Sequence, residues 1–175
     1  MEKKVAEKEA ATLERRVLEI VRDEKFVMLS TISRQCGISE LAAARALPKE
    51  MRAFCGGDDF LPVWEAMTRW PRATFIMCHG GSVMEIAGAL PPGKEADGWF
   101  NLAHGAALGG HIRHDAVTDI CFLSLPFMGK ESHSVQFFDA GGNVLFSVYV
   151  GREKHALIPE AVAAFRGMRK DFCKE

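Results

Sequence analysis

The sequence predicts an α+β fold: N-terminal helices, then a mainly antiparallel β-sheet meander of about seven strands, then a C-terminal amphipathic helix. Three observations carry that expectation. Before about residue 72, apolar residues recur at spacings of three and four. Beyond it, short β-branched and aromatic runs alternate with turn residues. The connections between those runs are too short to hold crossover helices, so neighbouring strands must run antiparallel.

The elements follow in order. Ala10, Leu13, Val17, Ile20 and Val21 share one face of a charged helical extension over residues 1–28. Leu29 to Leu47 reads as two short helices broken at Gly37; Ser39 caps the second and Pro48 stops it. Gly56-Gly57-Asp58-Asp59 reads as a loop. Phe60, Val63, Trp64 and Met67 then line a further helix that Pro71 ends. The strand-like segments are 73–78, 82–90, 98–102, 108–113, 119–125, 134–139 and 144–150. Ala140-Gly141-Gly142-Asn143 joins the last two so closely that they form a hairpin. Val162, Phe165, Met168 and Phe172 mark a final helix opened by Pro159, where a missing amide costs nothing. The expected organisation is therefore an extension (1–28) and one domain (29–175). That domain has a helical part (29–71), an antiparallel sheet (72–155) and a C-terminal helical segment (156–175).

Composition excludes several classes. The chain has 175 residues, 48% hydrophobic and 26% charged, which is globular rather than disordered. A formal net charge of −1 argues against a surface that coats nucleic acid or membrane. No apolar run approaches the roughly 18 residues of a membrane span, and Met1 to Lys8 is too charged for a secretory signal. A cytoplasmic location without membrane insertion is expected. The 5 cysteines are scattered, with no CxxC pair, as suits reduced thiols.

Three signals bear on chemistry. Ile32 to Leu47 resembles a helix-turn-helix, but its second helix exposes only Glu40 and Arg45 between alanines. A DNA reader needs basic and amide side chains there, so packing is the expected role. Of the six histidines, five fall in the β-rich half. His111 and His114 would face opposite sides of a strand, and no Cys, Asp or Glu completes a tetrahedral set beside them. No nucleophile elbow or phosphate loop is present. The third signal is a combination: aromatics such as Trp99, Phe100 and Phe122, histidines, and isolated cations such as Arg113 and Arg152. Apolar walls, an imidazole for iron and cations for carboxylates suit a large planar ligand with a metal centre.

Ser82-Val-Met-Glu85-Ile-Ala-Gly88-Ala-Leu90-Pro91-Pro-Gly93, Asp97-Gly98-Trp99-Phe100-Asn101-Leu102 and Gly109-Gly110-His111-Ile112 occur in that order. With Phe127-Met128-Gly129, Val135-Gln-Phe-Phe138 and Gly151-Arg152, they resemble the ChuX/HutX/HuvX group of intracellular haem-utilisation carriers. The resemblance runs from about Leu29 to Phe172. It implies a fold like half of the HemS/ChuS-type haem proteins, a homodimer, and haem as ligand. It also implies a cytoplasmic carrier of bacterial iron acquisition that hands haem to a haem-degrading or haem-storing protein. A haem-degrading enzyme needing an outside reductant is the alternative, and a DNA-binding regulator a lesser one.

The site residues carried over by resemblance are His111, as haem-iron ligand, and His79, as second ligand or gate. Trp99 and Phe100 are expected to flank the ring, and Arg113 to reach a propionate. Some members have tyrosine where this chain has Trp99, whose indole cannot ligate iron; the only tyrosine, Tyr149, lies in another strand. His111 is expected to point into an apolar slot.

Overall fold

The computed structural model describes residues 2–173; Met1, at the head of the expected extension, and Lys174 and Glu175, at the end of the C-terminal segment, lie outside the described residues. Five α-helices are described: α1 (Glu2–Asp23), α2 (Leu29–Cys36), α3 (Glu40–Arg45), α4 (Phe60–Met67) and α5 (Pro159–Phe172). Each of the seven expected segments contains a strand: β2 (Ala73–His79), β3 (Ser82–Gly88), β5 (Trp99–Leu102), β6 (His111–Ile112), β7 (Asp119–Leu123), β8 (Ser134–Phe138) and β9 (Val144–Val150). Four short strands join them: β1 (Arg52–Gly56), β4 (Gly93–Ala96), β10 (Arg152–Glu153) and β11 (Ala156–Leu157). All strand pairs are antiparallel.

The meander does not stay in one sheet. Six strands, in the order β1-β7-β8-β9-β2-β3, form the main sheet, and β4-β5-β6 form a separate small one. Strand β1 falls inside the stretch read as helical. Arg52-Ala-Phe-Cys-Gly lacks a periodicity of its own, and its extended state comes from pairing with β7 some seventy residues away, with Phe54 opposite Cys121.

The main sheet separates two cores. On one face Phe75, Phe122, Phe137, Phe146 and Val148 pack against α4 and α5, with the small sheet closing the same core through Phe100 and Leu102. On the other, Cys121, Leu123 and Phe138 meet Val17 and Ile20 of α1, Ile32 of α2, and Ala43 and Ala44 of α3. The N-terminal extension is thus part of the second core.

The α2–α3 pair has the expected caps. Gly37 ends α2 with φ of 67°, and Ser39 Oγ accepts the Ala42 amide at 3.2 Å. Both polar side chains of α3 serve the fold. Glu40 accepts the Val144 amide at 2.7 Å, and Arg45 pairs with Asp119 at 2.7 Å. Among the described residues no helix is long and apolar enough to cross a membrane.

Candidate functional site

The small sheet is a single layer with one wet face. Its strands obey the two-residue alternation: Phe100, Leu102 and Ile112 turn inward, while Trp99, Asn101 and His111 turn outward. Phe100 is only 5% exposed and sits edge-on to Phe60 and Trp64 at 5.3 and 5.8 Å. It therefore packs the core rather than flanking a ligand on the outer face. Its neighbour Trp99 is 40% exposed and free to do so.

Asn101 and His111 are register partners on β5 and β6, and His111 Nδ1 lies 2.6 Å from Asn101 Oδ1. The His111 ring meets Trp99 at 6.3 Å, and the Arg113 guanidinium lies 5.3 Å from the Trp99 ring centre. His111, Trp99 and Arg113 thus form one exposed platform. Arg113 is also held by Asp115 in a two-pronged pair at 2.9 and 2.8 Å. That pairing pushes the Arg113 guanidinium up and holds the Asp115 carboxyl below its ordinary range.

His111 is exposed on the outer side of β6. Four clefts lie elsewhere on the surface, and His111, His79, Trp99 and Arg113 line none of these four. A three-stranded layer packed by one face leaves its other face to solvent. His79 is not brought to the platform either. It ends β2 in the main sheet, opposite Ser82, at a hairpin tip turned by Gly80 and Gly81. Met77 and Met84, on the same face of that hairpin, are exposed beside it.

His114 and His133 are held by contacts within the fold. His114 stands over Phe60 at 5.6 Å and bonds Glu95 at 2.7 Å. Buried His133 stacks on Phe165 at 5.0 Å and joins Ser124 and Glu131 at 2.9 and 2.7 Å. That contact, with Arg166 beyond it, keeps the Glu131 carboxyl below its usual range. Among the described residues no cluster of His, Cys, Asp and Glu is arranged to hold a metal ion.

A second feature is not legible in the sequence motifs. Toward the β2–β3 edge the helices no longer cover the main sheet, and a cleft of about 340 Å³ opens there. Ile76, Val83, Phe127 and Tyr149 line it, with Arg72 and Arg152 also on its wall. Burial pushes the Tyr149 phenol up, so it is held protonated at neutral pH. The signal that could have found this face is the alternation on β2: Phe75 faces the core, Thr74 and Ile76 the cleft.

Known proteins share this architecture. A family model described as haem utilisation ChuX/HutX matches residues 53–168. The intracellular heme transport protein HutX of Vibrio cholerae is 34% identical over 166 residues, 94% of this chain and 86% of that protein. A protein from Erwinia carotovora superposes with a TM-score of 0.83 at 31% identity, covering 89% of this chain and 98% of that one. The heme-binding protein ChuX does so at 0.79 and 30% identity, covering 88% and 97%. PhuS, a heme-binding protein of Pseudomonas aeruginosa, superposes at 0.75 but is 15% identical, so it shows the fold alone. It matches 95% of this chain and 46% of that one, so the fold recurs as part of a longer protein.

Proposed function

This chain belongs to the haem utilisation ChuX/HutX family, and from that premise we propose that it is a cytoplasmic haem carrier of iron acquisition that binds haem through His111 and passes it to a degrading or storing protein. The observation that carries the reading is the outward-facing imidazole of His111, bonded through Nδ1 to Asn101 and flanked by Trp99. A neutral imidazole with its other nitrogen free is an iron ligand, and an exposed indole is a surface for a flat macrocycle. Arg113, already paired with Asp115, offers a haem carboxylate a shared cation rather than a free one.

The open platform suits transfer. One axial bond and one aromatic face hold a ligand that a recipient must later remove. A second copy of the chain, meeting this face, supplies the missing wall; this is the role we assign to the homodimer. His79, on its separate hairpin, acts as a secondary ligand or gate across that contact.

Absorbance titration with haem tests the ligand. The expected result is a histidine-type Soret spectrum that weakens in His111→Ala and changes less in His79→Ala. Wild-type spectra in both variants and in the double variant would remove His111 and His79 from the site. Incubating the complex with ascorbate tests the enzymatic alternative. A carrier keeps its Soret band, whereas conversion to a biliverdin-type product makes the protein a degrading enzyme.

The cleft on the main sheet supports a second reading, in which haem lies against Ile76, Val83 and Phe127 with Arg72 and Arg152 toward its carboxylates. Tyr149→Phe would then shift the spectrum while His111→Ala would not.

A further inference from the structure

We infer that Asn101 is a positioning residue that locks neutral His111 in the Nδ1–H tautomer and leaves Nε2 as the free, outward-pointing ligand atom. The inference rests on the proposed role of His111 only for its functional meaning, because the tautomer follows from the hydrogen bonds alone.

The constraint on the Asn101 amide originates in the β4–β5 turn. Asp97 and Gly98 both have positive φ, 55° and 78°, the geometry of a two-residue hairpin turn. That turn gathers backbone carbonyls around the Asn101 side chain. The Asn101 Nδ2 donates toward the carbonyls of Ala96 and Trp99, both at 3.1 Å, and of Lys94 at 3.3 Å. Backbone carbonyls only accept, so the end of the amide that faces them must be the NH₂ group. The oxygen is then left facing His111, and an amide oxygen also only accepts. The nitrogen 2.6 Å away must therefore carry the proton.

Reversing the amide would set its oxygen against three carbonyl oxygens. The orientation is thus decided by the turn rather than by the histidine. The proton on Nδ1 leaves the Nε2 lone pair uncommitted, the arrangement by which a hydrogen bond on one ring nitrogen readies the other for a metal. An unrestrained histidine side chain in water favours the opposite tautomer, with its proton on Nε2, so the lock changes which nitrogen is ready.

Nitrogen NMR of the haem-free, ¹⁵N-histidine-labelled full chain, well above the imidazole pKa, reads the tautomer directly. The expected result is a protonated Nδ1 and a bare Nε2 at His111. In Asn101→Ala the signal moves toward the Nε2–H form, and haem affinity falls about 10- to 100-fold with the histidine-type spectrum retained. Unchanged backbone amide shifts from Lys94 to Trp99 in Asn101→Ala, alongside the moved histidine signal, separate tautomer control from general damage to the turn. A wild-type His111 protonated on Nε2 overturns the inference, as does an unchanged tautomer in Asn101→Ala. Wild-type haem binding in His111→Ala, alongside an Nδ1–H signal in the parent, removes the carrier-ligand reading while leaving the tautomer assignment standing.

Discussion

The two sheets obey the same alternation and end in opposite conditions. In the main sheet, all five residues of β8 are buried, because helices or the small sheet cover both faces at its centre. In strand β5 of the small sheet, every second residue turns to the surface, because only one face is covered. A strand buried on both sides has no side chain free to bind anything; a strand buried on one side presents a row of them. The platform of Trp99, Asn101, His111 and Arg113 exists because the small sheet is a thin flap on the main core. Its one anchored face is also its weak point.

The largest expected effect lies in the main sheet. Phe137 is 0% exposed and stacks on Phe146 at 4.6 Å and edge-on to Phe60 at 5.7 Å. Phe137→Ala should cost about 3–5 kcal/mol in urea unfolding, through lost transfer energy and a residual cavity. A cost near that of a surface substitution would break the contrast between the two sheets.

The next effect probes the anchor of the flap. A Cβ at Gly93 would come within 2.5 Å of the Phe100 ring and 3.0 Å of the Asn101 carbonyl. Gly93→Ala should therefore cost about 1–3 kcal/mol and disturb the His111 platform as Phe100 shifts. Gly56→Ala, whose Cβ meets nothing within 4 Å, is the control. Equal unfolding midpoints for the two variants would mean that the small sheet is not held through Phe100.

On the wet face, Trp99→Ala should cost about 1 kcal/mol, the scale of its contact with Arg113 at an exposed site. Chemical unfolding together with haem titration sharpens the comparison, since binding is expected to suffer more than stability.

The smallest effect is a pH dependence at the β8–β9 turn. The Asn143 amide donates to the Asp139 carboxylate at 2.8 Å, which holds that carboxyl below its ordinary value. A depressed folded pKa contributes stability that is complete above the unfolded carboxylate range and is lost as pH falls through the folded value. Asp139→Ala should remove that acid-side loss, which solvent screening at this exposed carboxyl keeps to a few tenths of a kcal/mol (about 0.2–0.5), from thermal unfolding curves taken from neutral to acidic pH. An unchanged acid slope would mean the turn is held by its backbone alone.

How much of this was legible beforehand depends on how far each feature reaches along the chain. The α2–α3 hairpin was readable because Gly37, Ser39 and Pro48 act within one turn of where they stand. The α5 helix was equally readable from Pro159 and its apolar stripe. Strand β1 was not, since its extended state depends on β7. The site divides the same way. His111 and Trp99 are singled out by a local motif, and its likeness to the haem utilisation ChuX/HutX family is shown by the matching family model and relative. Asn101 lay inside that motif, yet its link to His111 depends on β5 pairing with β6 across a ten-residue separation. Phe100, expected to flank the ring beside Trp99, turns inward because successive residues of β5 point to opposite faces and only one face of that strand is covered.

The amino-acid order by itself determined which stretches become helix or strand wherever caps, prolines and two-residue periodicity act locally, and it carried the family signature. Only the tertiary structure decided that the strands divide into two sheets, that the small one keeps a wet face, and that the main one opens a cleft at its β2–β3 edge. The last two of these outcomes depend on which faces the helices cover. Coverage is set by packing between residues distant in sequence, which no local pattern records.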